Sequence, residues 1–337
     1  MKKAIKLLLV IGGLTGLAGG WYIFGPTVHV APKKFIYIPT GSQYPEVKKI
    51  LIREQILPHY FFFDVLAELT HYKRNIKPGK YKIENNSSLF QVLKLLHSGK
   101  QAPVRLVITK LRTKEDLATK LADNFELDAA AVLKFLQNND SLRKFGVDSN
   151  TVMSIIIPNS YLFWWNASLD KILTKLSIQQ QYFWDGDRFK KAALQGLTPL
   201  QAYTMASIIE EESNMKSDKG KIASVYLNRM RKGMKLEADP TIKYALRNFE
   251  LKRILHGHLA YPSAYNTYQH TGLPPGPICT PSIETIEAVL NAPATHYLFF
   301  VAKPDFSGYS NFADTYEQHL QYAKAYQQAL DQLMLTK

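Results

Sequence analysis

The run from Leu7 to Phe24 constrains the fold most, because LLLVIGGLTGLAGGWYIF contains no charged residue. It is long enough to cross the hydrocarbon core of a bilayer as a helix, and Trp21 and Tyr22 lie where interfacial aromatic residues are found. Its glycines would weaken a buried helix of a soluble domain. The sequence therefore predicts a transmembrane helix within residues 1–25.

The residues around this segment predict its processing and its orientation. GGWYIFGP is bulky where a cleaved signal peptide has a small-x-small site, so we expect the helix to remain as an anchor. Lys2, Lys3 and Lys6 precede it, and the positive-inside rule then leaves the N-terminus in the cytoplasm. Everything after Gly25 is expected outside the cytoplasm.

The rest of the chain is globular and basic. Hydrophobic residues make up 46% of the sequence, which excludes general disorder. The 42 Lys and Arg residues exceed the 28 Asp and Glu residues and give a formal net charge of +14. Outside the cytoplasm such a charge suits lipid headgroups or an acidic wall polymer, so we expect no nucleic-acid partner.

The sequence lacks the motifs of cofactor chemistry. Its only cysteine is Cys279, which leaves neither a disulfide framework nor a CxxC metal site. His256 and His258 in LHGHL have no third metal ligand at a recognisable spacing. The sequence also lacks the motifs of phosphate loops (GxxxxGKS/T), zinc proteases (HExxH) and serine hydrolases (GxSxG). We expect no metal and no cofactor.

Prolines, apolar periodicity and helix caps divide the chain after the anchor. Residues 26–34 are rich in proline and lysine and predict an extended tether. Residues 35–100 show the order strand, helix, helix, strand, followed by a helix that Ser87 or Ser88 caps and Gly99 ends. We refer to this stretch as the N-terminal module.

Two further regions follow the N-terminal module. Residues 101–150 predict a second α/β unit, because PVRLVIT has strand composition and two capped helices come after it. Thr113 and Asp116 form a capping-box pattern ahead of the first of these helices, and Asp128 is the expected cap of the second. Residues 151–337 form the last and largest region.

The stretch LTPLQAYTMASIIEEESNM reads as an apolar helix that ends in three consecutive glutamates. Thr198 and the proline after it predict the start of the helix. At about 100° per residue, the three carboxylates point in different directions and cannot act as one cluster. Glu210 or Glu212 is then expected at the edge of the core, and Glu211 in solvent.

Two interpretations of these glutamates stay open from the residues alone. Partial burial and the negative end of the helix dipole both raise the pKa of a carboxyl group, as a general acid requires. Alternatively, a glutamate forms a salt bridge with the next helix. The cations available on that helix are Lys219, Lys221, Arg229 and Arg231.

Two later segments carry the side chains of a carbohydrate site. LEADPTIKYAL places Asp239 and Thr241 around a proline turn, and YNTYQHTGLPPGPICTPS has no helix or strand pattern. Long irregular segments in compact domains are often functional, and Asn, Thr and Tyr side chains hydrogen-bond sugars; an ordinary long connection is the alternative. The aromatic cluster in SYLFWWN suits sugar faces, but core packing is its commoner role.

Four segments, in this order and spacing, resemble the endolytic murein transglycosylases of the YceG-like (MltG) family. They are ASIIEEES, YLNRMRKGMKLEADPTIKYAL, YNTYQHTGLPPGPICTPSIETIEAVLNA and YLFFV. The resemblance covers essentially the whole chain. It implies an α+β fold with an N-terminal transmembrane helix, a LysM-like module and a mixed α/β catalytic domain. The implied reaction cleaves peptidoglycan glycan strands between N-acetylmuramic acid (MurNAc) and N-acetylglucosamine (GlcNAc) and leaves a 1,6-anhydro end.

The resemblance also implies roles for individual residues. The single catalytic glutamate of the family falls on Glu210, which would act first as an acid and then as a base. Glu212 matches a further acidic position of the same motif. The other implied cleft residues are Asn228, Arg229, Asp239, Thr241, Tyr265, Asn266, Thr267 and Tyr268. Ser213 stands where the family usually has threonine, a mild departure, and LVITKLR and IIIPNSYLF each lack an acidic-glycine pair common in the family.

The implied partners are peptidoglycan glycan strands and the bacterial inner (cytoplasmic) membrane, with the catalytic domain on its extracytoplasmic side. Peptidoglycan synthases and division proteins are candidate partners. Three alternative functions stay open, of which a cytoplasmic nucleic-acid protein is the poorest because the membrane segment argues against it. A hydrolytic muramidase would combine Glu210 with Asp239 and a water molecule, whereas a non-catalytic wall-binding adaptor would use only the LysM-like module and the aromatic residues.

Overall fold

The computed structural model describes residues 2–57, 60–251 and 253–335, which divide into two units. The first unit comprises Met1–Leu106, Ala122–Leu127 and Tyr161–Ser168, and the second comprises Val107–Leu121, Asp128–Ser160 and Leu169–Lys337. Both contain helices and short strands, so the predicted mixture of helix and strand is confirmed.

The first unit begins with the apolar helix and continues with the N-terminal module. Its elements are α1 (Lys2–Phe24), β1 (Lys34–Ile38), α2 (Tyr44–Arg53), α3 (Tyr60–Leu69), β2 (Gly79–Ile83) and α4 (Leu89–Ser98). The predicted order strand, helix, helix, strand is confirmed. β1 and β2 pair antiparallel, with Lys34 opposite Ile83 and Ile38 opposite Gly79.

Period-two alternation and helix caps determine these elements. Ile36 and Ile38 of β1 point into the core with Tyr81 of β2, while the residues between them face outwards. The Ser88 hydroxyl accepts the backbone N–H of Gln91, three residues into α4. Gly99 ends α4 with a φ of 71°, a left-handed conformation that glycine adopts without strain.

Helix α1 is exposed along most of its length but joins the module at its C-terminal end. Residues Ile5–Phe24 form a span of 20 residues with a mean hydropathy of 1.8 and no buried part. In the last turn, Ile23 packs against the core of the module. Val28, within the predicted tether, is fully buried and forms a β-bridge with Ser87.

Two strands and the remaining helices of the chain follow. β3 (Val104–Ile108) pairs with β4 (Asn159–Phe163). The helices are α5 (Lys114–Asn124), α6 (Ala129–Leu136), α7 (Asn139–Leu142), α8 (Leu169–Trp184), α9 (Asp187–Leu194), α10 (Pro199–Glu212), α11 (Lys216–Arg231), α12 (Asp239–Ala245), α13 (His256–Leu259), α14 (Ile283–Leu290) and α15 (Tyr316–Leu335). β5 (Phe299–Ala302) and β6 (Ser310–Ala313) form an antiparallel pair.

Helix α10 lies at the centre of the second unit. It packs against α11, α12 and α14. The Thr198 side chain caps its first turn and accepts the backbone N–H of Gln201, as predicted. Every residue from Ala202 to Ile209 is buried, and the Tyr203 hydroxyl donates to the Ile156 carbonyl at 2.6 Å. Because the core surrounds α10, its C-terminal end is where polar side chains can reach solvent.

Two local predictions are corrected by the structure. The apolar composition of HYLFFVAKP predicts a buried strand, but within the described residues β5 pairs with β6 alone, and its first three residues are half-buried. A proline turn was expected around Asp239, but DPTIKYA forms the short helix α12, because proline is tolerated in the first turn of a helix.

Candidate active site

Glu210 is bound within a buried polar network. Lys219 Nζ lies 3.1 Å from Glu210 Oε2, Ser282 Oγ donates to the same oxygen at 2.9 Å, and Thr285 Oγ1 donates to it as well. Burial raises the pKa of Glu210, but these hydrogen bonds outweigh it, and the pKa lies below its usual value. The expectation of a raised pKa is therefore wrong for Glu210, and a salt bridge with the next helix is found instead.

Glu211 is also held by cations. Arg112 donates from Nε and Nη2 to its two carboxylate oxygens at 3.1 and 3.0 Å, and Lys110 Nζ lies 2.9 Å away. Its side chain is only 16% exposed, so the prediction of a solvated residue is wrong. Burial raises the pKa of Glu211, but the hydrogen bonds from Arg112 and Lys110 bring it below its usual value.

Glu212 has a different environment. Its one hydrogen-bond donor among the described side chains is Tyr226, whose hydroxyl donates to Oε1 at 2.7 Å. Burial raises the pKa of Glu212 to about 7, and the charge of Asp239 adds to the increase, although the bond from Tyr226 opposes it. A carboxyl group whose pKa lies near neutrality can both donate and accept a proton.

Glu212 lies in the wall of a cleft of about 280 Å³. The residues that line this cleft are Glu212, Arg229, Leu236, Glu237, Asp239, Tyr268, Phe299, Phe300 and His319. Three carboxylates and the aromatic faces of β5 therefore meet in one cavity. Such a combination suits a sugar, whose hydroxyls need hydrogen bonds and whose ring faces need apolar contact.

Four of the sequence-derived site residues line the cleft, namely Glu212, Arg229, Asp239 and Tyr268. The Tyr268 hydroxyl donates to Asp239 Oδ1 at 2.6 Å, and this bond fixes both side chains at the rim. Arg229 donates from Nε to the Leu298 carbonyl at 2.7 Å and from Nη1 to Glu237 at 2.9 Å. Arg229 therefore connects α11 to β5 and braces the cleft wall.

Asn228 and the two threonines are placed in the framework behind the cleft. Asn228 Nδ2 donates to the carbonyls of Thr295 and Tyr297 at 2.9 and 3.0 Å, which positions the chain before β5. The hydroxyls of Thr241 and Thr267 are 2.9 Å apart, and both side chains are buried. This pair joins α12 to the long irregular segment.

Asn266 and Tyr265 shape the same irregular segment from inside. Asn266 is fully buried, and its Nδ2 donates to the carbonyls of Leu259 and Tyr261 at 3.0 and 2.8 Å. Its Oδ1 accepts the backbone N–H of Tyr268 at 2.9 Å. The ring of Tyr265 packs on Tyr244 with centroids 4.7 Å apart. These contacts orient Tyr268 toward the cleft.

Sequence reasoning missed Tyr226, which donates to Glu212, and five residues that line the cleft: Leu236, Glu237, Phe299, Phe300 and His319. Tyr226 is the first residue of the YLNRMRKG motif and, three positions before Arg229, lies on the same side of α11, so it could have been found from helical spacing. His319 stacks on Phe299 with centroids 5.2 Å apart, and burial lowers its pKa. The terminal helix gave no signal for it, because a lone histidine on an amphipathic helix has no distinctive spacing.

The sequence matches one known protein family and several of its members. Residues 36–325 match the model of the YceG-like family, and the chain belongs to this family. It is 28% identical over 329 residues to the endolytic murein transglycosylase of Bacillus subtilis strain 168, covering 90% of this chain and 89% of that protein. The protein of the same name from Streptococcus pneumoniae strain D39 is 27% identical over 318 residues, which cover 85% of this chain and 57% of that protein.

A solved structure shares the fold. The crystal structure of a yceG-like protein from Listeria monocytogenes matches with a TM-score of 0.57 and 28% sequence identity. The match covers 86% of this chain and 98% of that one. The family resemblance stated from the sequence motifs is thus confirmed.

Proposed function

We propose that this protein is a membrane-anchored endolytic murein transglycosylase. It cleaves the bond between MurNAc and GlcNAc within a glycan strand and forms a 1,6-anhydro-MurNAc end. Relatives that match most of the chain carry the name of this activity. The observation that carries the chemical part of the proposal is the position of Glu212: its carboxyl group lies in the wall of a cleft, accepts a hydrogen bond from Tyr226 and is in a setting whose burial raises its pKa.

The structure favours Glu212 over Glu210 as the single acid and base. Glu210 is held ionised by Lys219, whose side chain is 8% exposed, and Glu210 does not line the described cleft. An ionised carboxylate cannot donate a proton to a leaving oxygen. The assignment of Glu210 from the family motif stays a prediction, and the two residues are distinguished by the experiments below.

The proposed reaction moves one proton out and one proton back. Protonated Glu212 donates to the glycosidic oxygen of GlcNAc as the bond from that oxygen to C1 of MurNAc breaks. The C6 hydroxyl of the same MurNAc attacks C1 and gives its proton to Glu212, so the carboxyl group is regenerated and no water is consumed. Because the nucleophile belongs to the same sugar, proximity supplies much of the rate.

A second candidate reaction is hydrolysis. Ordinary glycosidases use two carboxyl groups across the scissile bond, and Asp239 lines the same cleft as Glu212. In this reaction a water molecule attacks C1, and the product has a reducing MurNAc end. Tyr268 donates a hydrogen bond to Asp239, which favours a positioning role for that carboxylate over a catalytic one.

The first unit supplies anchoring and glycan contact in this proposal. Helix α1 is apolar, exposed and long enough to span a bilayer, with its lysine-rich start in the cytoplasm. The N-terminal module, predicted to be LysM-like, contains a groove of about 420 Å³ between β2 and α4. Lys82, Gln91 and Gln101 lie in its walls and provide hydrogen-bonding groups for glycan.

The experiment that tests the function is product analysis. The full chain, purified in detergent, is incubated with peptidoglycan sacculi, and the released muropeptides are identified by mass spectrometry. New 1,6-anhydro-MurNAc ends at positions that were internal in the intact glycan strands support the transglycosylase. Reducing MurNAc ends would show that the protein is a hydrolase, and glycan binding without cleavage would show that it is an adaptor.

A further inference from the structure

Helix α3 of the first unit is apolar on two sides. Its inner side, including Phe63 and Leu66, is buried in the core of the module. Its outer side presents Phe61, Val65 and Leu69, which are 66, 41 and 72% exposed. These three residues are four positions apart and therefore form one stripe along the helix. We call Phe61, Val65 and Leu69 the outer stripe.

The outer stripe lies on a helix that is attached to the end of α1. The rings of Tyr22 and Phe62 stack with centroids 5.5 Å apart. A Cβ atom placed on Gly19 would be 3.5 Å from the Phe62 ring, so the two helices approach closely at this point. Ile23 also packs against the core of the module, so the last two turns of α1 are packed against the module that contains α3.

The length of α1 determines the depth of this attachment. Ile5–Phe24 contains 20 residues, which at about 1.5 Å per residue span about 30 Å, the thickness of a hydrocarbon core. The attachment site from Gly19 to Phe24 is then at the boundary between hydrocarbon and headgroups. Trp21 and Phe24, 64 and 66% exposed, are aromatic residues at the same level.

The charges of α3 are compatible with this depth. Its two acidic residues are both paired: Lys48 Nζ lies 2.5 Å from Asp64, and Lys73 Nζ lies 2.9 Å from Glu68. Lys48 also lies over the ring of Tyr60, 4.3 Å from its centroid. Each carboxylate thus has a lysine next to it, which reduces its repulsion from anionic headgroups.

We infer that α3 is an interfacial helix, whose outer stripe inserts into the headgroup and upper acyl region of the leaflet from which α1 emerges. The inference rests on the proposed anchoring of the chain by α1. An amphipathic helix with exposed Phe and Leu binds bilayers in this way. The consequence is that the N-terminal module is held flat against the membrane, and does not hang from a flexible tether.

Site-directed spin labelling of the full chain in phosphatidylethanolamine and phosphatidylglycerol vesicles tests the inference. Cys279 is fully buried, so a cysteine introduced at the surface is labelled selectively. Labels are placed at Phe61→Cys and Leu69→Cys, with Ile52→Cys as the matched control. Ile52 is 45% exposed on α2, which packs against β1.

The expected result is that the labels at 61 and 69 differ from the label at 52 in their accessibility to oxygen and to a water-soluble nickel complex. Labels at 61 and 69 should collide more often with oxygen, which concentrates in lipid, than with a water-soluble nickel complex, and the order should reverse at 52. Loss of this pattern when the vesicles are replaced by a detergent-free amphipathic polymer is also expected. Circular dichroism of each labelled chain checks that the fold is retained, and a third label at Val65→Cys should show the same preference for oxygen as the labels at 61 and 69.

Three results would overturn the inference, and they are distinguishable. Equal accessibility of 61, 69 and 52 to the nickel complex, in a chain that floats with the vesicles, leaves the anchor intact but removes the interfacial helix. The label at 69 could instead show spin–spin broadening that disappears on dilution with unlabelled chain, without contact with oxygen. This result would mean that the outer stripe packs against a second copy of the chain. Failure to float with vesicles overturns the anchoring itself, and with it this inference.

Discussion

Glu210 and Glu212 end the same helix two residues apart, yet their surroundings are opposite. Glu210 faces Lys219 of α11 and the hydroxyls of Ser282 and Thr285, so it is stable as an anion. Glu212 faces Tyr226 and a cleft, so its neutral form is favoured up to a pH of about 7. Helix position alone therefore does not determine the pKa of a carboxyl group, because the partners that neighbouring elements bring decide it.

The largest expected effect is the loss of activity in Glu212→Gln. The amide keeps the size of the side chain but cannot donate a carboxylic proton, so release of anhydro muropeptides should fall by about 10²- to 10⁴-fold. The variant should remain folded, because ionisation of Glu212 is unfavourable in the native protein. Retained activity in Glu212→Gln, together with inactivity of a stably folded Glu210→Gln, would return the catalytic role to Glu210.

Glu210→Gln should instead reduce stability. It leaves the buried ammonium group of Lys219 without its counter-ion, which should lower the free energy of unfolding by about 2–4 kcal/mol. The matched control is the double variant Glu210→Gln and Lys219→Met, in which no charge is left unpaired and much of the stability should return. Denaturation of the detergent-solubilised chains measures both. A Glu210→Gln protein as stable as the parent would show that the network around Glu210 is not structural.

The stability contributed by Glu212 should depend on pH with a defined sign. Its pKa is about 7 in the folded chain and about 4.5 when unperturbed, so the contribution is fully present below about pH 4.5 and is lost as pH rises through 7. At pH 8 Glu212→Gln should therefore be about 1–3 kcal/mol more stable than the parent, and at pH 4.5 the two should be alike. Melting curves at both pH values check this, and an unchanged difference would contradict a raised pKa.

Glu211→Gln should have a smaller effect. It weakens the contacts to Arg112 and Lys110, each 37% exposed, so we expect a loss of about 1–2 kcal/mol that diminishes at high salt. Activity of the folded protein should be nearly unchanged. A fall in activity beyond tenfold, at full stability, would instead place Glu211 in the reaction.

The smallest expected effect is a shift of the pH profile in Tyr226→Phe. The hydroxyl of Tyr226 stabilises the ionised form of Glu212, so its removal should raise the pKa of Glu212 by up to about one unit. The alkaline limb of kcat/KM should then move to higher pH. A shift to lower pH, or no shift, would mean that Tyr226 does not act through Glu212.

Local signals in the sequence predicted much of the fold. Thr198 and Asp128 were predicted as caps because a short polar side chain before an apolar helix has a fixed local role, and both are confirmed. For α4 the prediction was Ser87 or Ser88, and the structure selects Ser88. The order of elements in the N-terminal module followed from periodicity in the same way. Its LysM-like character stays a prediction.

The environment of each glutamate could not be predicted in this way. Helix α10 is apolar on every side, so its periodicity gives the angles between the three carboxylates but not the neighbour that each one meets. Arg112 contacts Glu211 from 99 residues earlier in the chain, and Thr285 contacts Glu210 from 75 residues later. Such partners depend on how the helices pack, which no local pattern records.

We propose that Glu212, and not Glu210, holds the exchangeable proton. Carbon-13 NMR of the glutamate carboxyl groups, titrated from pH 4 to 9 in the parent chain, Glu210→Gln and Glu212→Gln, tests it most directly. We expect one carboxyl signal that titrates near pH 7 in the parent and in Glu210→Gln, and its disappearance in Glu212→Gln. A signal near pH 7 that survives in Glu212→Gln and vanishes in Glu210→Gln would contradict the account.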